Sequence, residues 1–379
     1  MLDIPYPTGN RRALALAAAQ AQRPQPGFGF ALEPAALTGA FRLHPPDGFE
    51  AWTSRDGTPL FATRFDLLTT ADAALARCVR ALPGRRLWDG LLRPRTLFAG
   101  STVSEYLPLS SADAAAALPM ALREQYGRTY PFVILKDLPQ DSPLLDAHSN
   151  RTAATLLRAA QQAGYVSVQG QALAYLPVDF TSLEDWLRRF SGKRRYDIRR
   201  KLKQRAALDV ETWPLGAPPL QDAACRAALY ALYRQVYAQS AVQFDELSAG
   251  FFDAVFTDPA LPGFLFVFRH RGRLVGWKLC FEHDGMLIDK YVGFDYPEAR
   301  RLGLFFVGWA ECLQYALQHG LRHYVIGWTD PAVKAYLGAR FTFTRHAVWV
   351  RNPLLRAGLR RLSHRFEADA GTLLAAGGG

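Results

Sequence analysis

The sequence predicts a mixed α/β protein built from two successive folded units, and three observations carry that expectation. Strand-like and helix-like runs alternate along most of the chain, the Pro-rich stretch "WPLGAPPL" at 213–220 divides it, and beyond that break three strands precede one long amphipathic helix. With 379 residues and 49% hydrophobic content, the chain is large enough to bury a substantial core.

The elements follow in chain order. "RRALALAAAQAQ" near the N-terminus imitates a signal peptide, but its apolar part is short and alanine-based, so it reads as an exposed helix. Residues 49–68 read as two strands around the turn Arg55-Asp56-Gly57-Thr58, because Asp-Gly between apolar runs is a hairpin signal. A strand follows in "RTLFAGSTVSEYLPL". Its Gly100-Ser101-Thr102 segment is a polar turn, with anion binding as the alternative. An Ala-rich helix over 112–127, the strand "PFVILKDL", a helix over 150–163 capped by Ser149 or Asn150, and the strands "GYVSVQ" and "ALAYLPVDF" complete the first half. Ser101, Asp146 and His148 form no hydrolase arrangement, since no G-x-S-x-G elbow is present.

Ser182 opens the helix "SLEDWLRRF", with Asp185 three residues on as a weakened capping box. It leads into "KRRYDIRRKLKQR" at 193–205, where eight basic residues against one acid supply a net +7 of the formal +11. Two readings stand. The segment attracts a phosphate-bearing partner such as RNA, a nucleotide cofactor or anionic lipid, or it is a solvated helix with Ile198 and Leu202 turned inward.

In the second half, helices near 222–239 and 247–256 precede three strands joined by tight turns at Arg271-Gly272 and Asp284-Gly285. The loop "DYPEARRLG" then leads into a helix over 302–319. Leu302, Phe305, Phe306, Trp309, Leu313, Ala316 and Leu317 share one face of it, which places Glu311 on the opposite, solvent side. "HYVIGW" forms a strand, "PAVKAYLG" a short helix started by Pro331 and capped by Asp330, and "FTFTRHAVWV" the last strand.

Several function classes are excluded. Cys78, Cys225, Cys280 and Cys312 lie far apart without Cys-x-x-Cys or histidine spacing, so neither a metal site nor a disulfide framework is expected, and a reducing cytoplasm fits. The longest apolar stretch outside the N-terminal run, "LGLFFVGWAECLQYAL", is broken by Glu311 and Gln314 and falls short of the ~20 residues of a membrane span, so no transmembrane segment is expected.

Three antiparallel strands, a basic Gly-containing loop, a long helix, a strand, a short helix and a final strand resemble the GNAT acyltransferase fold over about residues 221–350. The family's R/Q-x-x-G-x-G/A loop is matched in "RRLGLF" by Arg300 and Gly303, while Phe305 departs from its last small position. The resemblance implies that this loop and the helix N-terminus bind the donor's pyrophosphate, because unpaired N–H groups and the helix dipole converge there. Phe305 works against close approach by a diphosphate.

The stretch "LEDWLRRFSGKRRYDIRRKLKQ" and the α/β first half make the chain similar to FemAB-like or peptidoglycan-biosynthesis-type acyltransferases, which carry two GNAT-like domains. That resemblance implies tandem GNAT-like domains with mixed central sheets flanked by helices. Residues 1–180 would form a degenerate N-terminal domain, 181–220 a basic helix and linker, 221–352 the C-terminal acyltransferase domain, and 353–379 a helix and flexible tail. It further implies transfer of an acyl or aminoacyl group from acyl-CoA, a carrier protein or aminoacyl-tRNA to an amine on a small molecule or peptide. The donor would act as co-substrate, with no permanently bound cofactor.

Lys334, followed by Leu337-Gly338, stands where Fem relatives carry a lysine near the substrate phosphates and the reacting amine, and is the first catalytic candidate. Strict alternation in "MLIDKYVGF" puts Asp289, Tyr291 and Gly293 on one face. Asp289 and Tyr291 are the candidates for moving a proton, a buried charge pair and a core tyrosine being their structural alternatives. Donor-binding candidates are Arg300, Arg301, Gly303, Val292 and Gly293, with Arg194, Arg199 and Lys203 from the basic segment. The competing class is a noncatalytic GNAT-like module that only recognises a phosphate-bearing ligand.

Overall fold

A computed structural model describes residues 32–66, 92–108, 112–240 and 243–363. The N-terminal alanine-rich stretch, Cys78 and the tail beyond 363 lie outside the described residues.

Among the described residues, eleven strands form one mixed sheet in the order β1-β2-β3-β4-β11-β5-β10-β9-β8-β7-β6. In chain order these are β1 (Glu50–Thr53), β2 (Pro59–Arg64), β3 (Arg95–Ala99), β4 (Phe132–Pro139), β5 (Val166–Pro177), β6 (Asp209–Pro214), β7 (Gly263–His270), β8 (Arg273–His283), β9 (Met286–Phe294), β10 (His323–Gly327) and β11 (Arg340–Val350). The turns that sequence marks behave as expected. Arg271 and Gly272, and Asp284 and Gly285, all adopt positive φ, as tight hairpins between twisted strands require. The two halves share the sheet without a break. β11 is the last strand in sequence, yet it lies between β4 and β5, and β5 in turn pairs with β10.

Helices cover both faces. α1 (Ala35–Leu43), α2 (Ala112–Tyr126) and α3 (Ala147–Gln162) belong to the first half. α4 (Leu183–Arg188) and α5 (Gly192–Leu202) carry the link, with α5 holding most of the basic run. α6 (Pro218–Gln221), α7 (Ala223–Gln239), α8 (Ala249–Thr257), α9 (Glu298–Arg301), α10 (Leu304–Gln318), α11 (Pro331–Tyr336) and α12 (Pro353–Leu362) follow. On one side of β7–β9, Trp277, Leu279 and Phe281 pack against Leu229 of α7 and Phe251, Phe252 and Phe256 of α8. On the other, Phe264, Phe266 and Cys280 meet Leu304, Val307, Cys312 and Leu313 of α10. Among the described residues, no helix is long and apolar enough to cross a membrane.

Several local expectations fail, each for a physical reason. α3 begins earlier than its pattern indicates, because Asp146 rather than Ser149 or Asn150 caps it, accepting from Ser149 N at 2.6 Å. Asp330 makes no side-chain cap and instead takes a left-handed backbone, φ 52°, that turns the chain into α11. Alternation in "RLVGWKLCFE" would put Val275 on one face with Trp277, Leu279 and Phe281, but Val275 lies on the other, because the β7–β8 register slips between Phe268 and Arg269 and adds a residue on β8. Glu311 is not on the solvent side: it is 3% exposed and pairs with Arg205 from the turn after α5, so both faces of α10 are covered.

Candidate active site

The site forms where the sheet comes apart. β9 and β10 pair in parallel only from Met286–His323 to Ile288–Val325, and beyond that point the two strands separate. At the same place β9 carries an extra residue. Leu279 faces Tyr291 and its neighbour Cys280 faces Asp289, so Lys290 has no partner on β8 and forms a β-bulge. The bulge breaks the period of two, which reverses the predicted alignment of side chains. Asp289 and Tyr291 do not share a face. Tyr291 packs edge-on to Phe251, Phe252 and Tyr233, whereas Asp289 faces the Cys280 side.

On that side Asp289 is held through one carboxylate oxygen. Its Oδ2 accepts from Lys278 Nζ at 2.6 Å and from Tyr324 O–H at 2.8 Å, and Lys278 also donates to Tyr324 at 3.0 Å. Asp289 is thus half of a buried charge pair. Burial, then the neighbouring Asp289 charge, raises the Tyr324 phenol well above its ordinary range.

Lys334 of α11 reaches into the strand gap. Gly327 (φ 76°) and Asp330 turn the chain sharply after β10, Pro331 starts the helix, and Lys334 returns its ammonium to the end of the strand. Its Nζ donates to Ile326 O at 2.7 Å and Gly327 O at 3.1 Å, and the residue is 3% exposed. It does not snorkel to solvent. Desolvation lowers its pKa from 10.5 to about 8, against the opposing pull of Asp289 and Glu105.

The bulge residue supplies a second buried cation. Lys290 Nζ binds Glu105 Oε1 at 2.7 Å with both side chains about 95% buried, while Glu105 Oε2 finds no hydrogen-bond partner among the described residues. Glu33 accepts from Glu105 N at 3.2 Å, and burial pushes its carboxyl up to about 7, partly countered by Lys290. Burial also raises Asp245 to about 6. Glu33, Glu105 and Lys290 escape sequence reasoning. Glu105 lies just after the Gly100-Ser101-Thr102 turn, and that turn was the only signal available; the segment is buried rather than a surface turn, with Ser101 1% and Ser104 3% exposed.

The predicted donor-binding residues fall into three groups. Gly303 precedes α10 in a left-handed conformation, φ 61°, with no side-chain cap on the helix start. Beside it, the Lys201 ammonium stacks 3.9 Å from the Phe306 ring centroid, while Phe305 packs against Phe306 and Trp309. Arg300 and Arg301 are exposed; Arg300 bonds Gln239 Oε1 at 2.8 Å and Arg301 pairs with Glu298 at 2.6 Å. Val292 stays partly buried opposite Lys278, and Gly293 is closed over by Trp277, whose Nε1 would lie 2.1 Å from an added Cβ. In the basic helix, Arg194 donates to Ala335 O at 2.8 Å and stacks on Phe190 and Tyr336, while Tyr336 O–H donates to Asp197 at 3.0 Å. α5 therefore clamps the helix that bears Lys334. Arg199 pairs with Glu184, and Lys203 is exposed. Among the described residues no cluster of three or more His, Cys, Asp or Glu is arranged to hold a metal ion.

Comparison with known proteins bears on the fold. Residues 192–336 match the family of acetyltransferase (GNAT) domains. Among solved structures, the chain superposes on the C-terminal domain of a lysylphosphatidylglycerol synthetase from Agrobacterium fabrum with TM-score 0.52 and 12% identity, covering 92% of this chain and 95% of that one. L-PGS from Bacillus licheniformis gives TM-score 0.51 and 11% identity over 90% of this chain and 99% of its own. FemX gives TM-score 0.51 and 12% identity over 93% and 99%. No curated protein matches by sequence. At these identities the structural likeness concerns the fold.

Proposed function

We propose that this protein, whose residues 192–336 match acetyltransferase (GNAT) domains, is an N-acyltransferase that moves an acyl or aminoacyl group from an activated donor to an amine. One observation carries the reading: a buried ammonium, Lys334, sits in the gap where β9 and β10 separate. Among the described residues, two of its three N–H donors are held by Ile326 O and Gly327 O, which fixes the ammonium in the gap. In acyl transfer the amine attacks the donor carbonyl, a C–N bond forms and negative charge develops on the carbonyl oxygen. A preset cation in a site of low dielectric stabilises that charge. Collapse expels the thiolate or the ribose oxygen of the donor, and the amine gives up one proton. Asp289 is held by Lys278 and Tyr324, so we assign the proton to the Glu33–Glu105 pair, where Glu33 titrates near neutrality. Tyr291, on the opposite face from Asp289, lines the apolar wall in this reading.

Two features favour aminoacyl-tRNA over acyl-CoA as donor. The +7 segment at 193–205 adjoins the α10 start, with Lys201 closest, and Phe305 stands where close diphosphate packing needs a small residue. One neighbour is named for a synthetase of lysylphosphatidylglycerol, a lysyl conjugate, which supports an aminoacyl donor. Phe305 also favours the second reading, a noncatalytic module that binds a phosphate-bearing ligand. A panel of acyl-CoAs and aminoacyl-tRNAs, each offered with mixed amine acceptors and followed by mass spectrometry, separates the two. The proposal predicts acceptor-dependent discharge of at least one aminoacyl-tRNA; saturable binding of a donor that is never discharged would establish the binding module instead.

A further inference from the structure

Of the large apolar side chains that stand exposed among the described residues, two are adjacent on one helix: Leu354 at 81% and Leu355 at 59% exposure. Both belong to α12, whose sequence "PLLRAGLRRL" separates sharply around the helix axis. At 100° per residue, Leu354, Leu355, Gly358 and Leu359 occupy one side, with Arg356 and Arg360 opposite and Arg361 at the flank. Arg351 precedes the helix, and residues 351–363 contain four arginines and no acid.

The helix is well pinned at its start. Asn352 Oδ1 accepts from Leu354 N at 2.9 Å and Leu355 N at 3.2 Å, and Arg351 donates to Arg128 O at 2.8 Å. Leu359 turns toward the core, so the helix lies along the protein with its leading leucines facing out. Arg356 reaches Gly164 beside Arg123, so it packs against the protein, and Arg360 and Arg361 are left as the outward cations.

We propose that α12 docks the protein on an anionic bilayer surface. Leu354 and Leu355 enter the boundary between headgroups and acyl chains, while the exposed Arg360 and Arg361 face the anionic headgroups. The charge pattern selects this occupant: a short helix with an apolar edge and a purely basic polar side gains from both terms only at an anionic lipid interface. A nucleic acid leaves the leucines uncovered. A second copy of the helix sets arginine against arginine.

The test is sedimentation of the full-length protein with vesicles of phosphatidylcholine alone and of phosphatidylcholine mixed with phosphatidylglycerol. The parent should partition to anionic vesicles roughly tenfold or more better than to neutral ones, with the preference weakened by salt. The double variant Leu354→Ser, Leu355→Ser and the double variant Arg360→Glu, Arg361→Glu should each lose ~tenfold or more of that partitioning. Circular dichroism of both variants should match the parent, since all four side chains are exposed. Equal binding to both vesicle types, leucine variants that bind like the parent, tRNA binding that the Arg360→Glu, Arg361→Glu variant loses while its vesicle binding stays parental, or a parent dimer that the leucine variant converts to monomer would each overturn the proposal. None of these outcomes depends on acyl transfer.

Discussion

At Lys334, burial and neighbouring charge pull against each other, and burial wins. The unfolded lysine keeps its proton to about pH 10.5, the folded one only to about 8. Between these values the unfolded chain binds more protons, so Lys334 makes stability rise with pH across that window. The full effect is about 3 kcal/mol or less. Denaturant titrations at pH 8 and above should show that rise in the parent and lose this part of it in Lys334→Met. Glu33 behaves oppositely. Its carboxyl is raised from 4.5 to about 7. The folded state therefore binds more protons between those values, and the stabilising contribution present below pH 4.5 is lost as pH rises through 7. Glu33→Gln should flatten stability over that acid range; an unchanged profile would mean that Glu33 is better solvated than its surroundings indicate.

Gly303 sets the start of α10 by adopting φ 61°, a conformation that a β-branched residue reaches only with strain. An added Cβ meets only Lys201 O at 3.7 Å, so Gly303→Ala costs about 1 kcal/mol of backbone strain with little clash. Gly303→Val should raise the donor KM several-fold while circular dichroism stays close to the parent. Equal KM in the folded variant would remove the α10 start from donor binding. Elements of this kind were legible in the sequence because their signals are local: the Arg271-Gly272 and Asp284-Gly285 turns, Pro331 opening α11, and the order of strands around α10. The bulge at Lys290 was not legible, since a single inserted residue leaves apolar periodicity intact while moving Tyr291 to the other face from Asp289. Glu311 was misread for a similar reason. Its partner Arg205 lies 106 residues away, and no pattern within α10 reveals that a basic turn covers its outer face. Glu33 and Glu105, 72 residues apart, meet only through tertiary folding.

The single sheet makes the two halves interdependent. β10 relies on β5 from the first half for its antiparallel neighbour, and β11 relies on both β4 and β5. A fragment of residues 221–352 would leave β11 without both neighbours and expose two strand edges, so it should aggregate or remain unfolded, while the full chain should unfold in one calorimetric transition. A soluble, monomeric fragment with native-like circular dichroism would show instead that the second half is self-sufficient. The same interleaving gathers the site: Glu33 and Glu105 come from the first half, Lys290, Ile326 and Lys334 from the second. The central claim, that acyl transfer occurs at the gap guarded by Lys334, is tested most directly by single-turnover transfer with a saturating donor in the parent and in Lys334→Met. Loss of ~10²-fold or more in the transfer rate, with donor affinity nearly unchanged, is the predicted result. Transfer by Lys334→Met at the parental rate would contradict it.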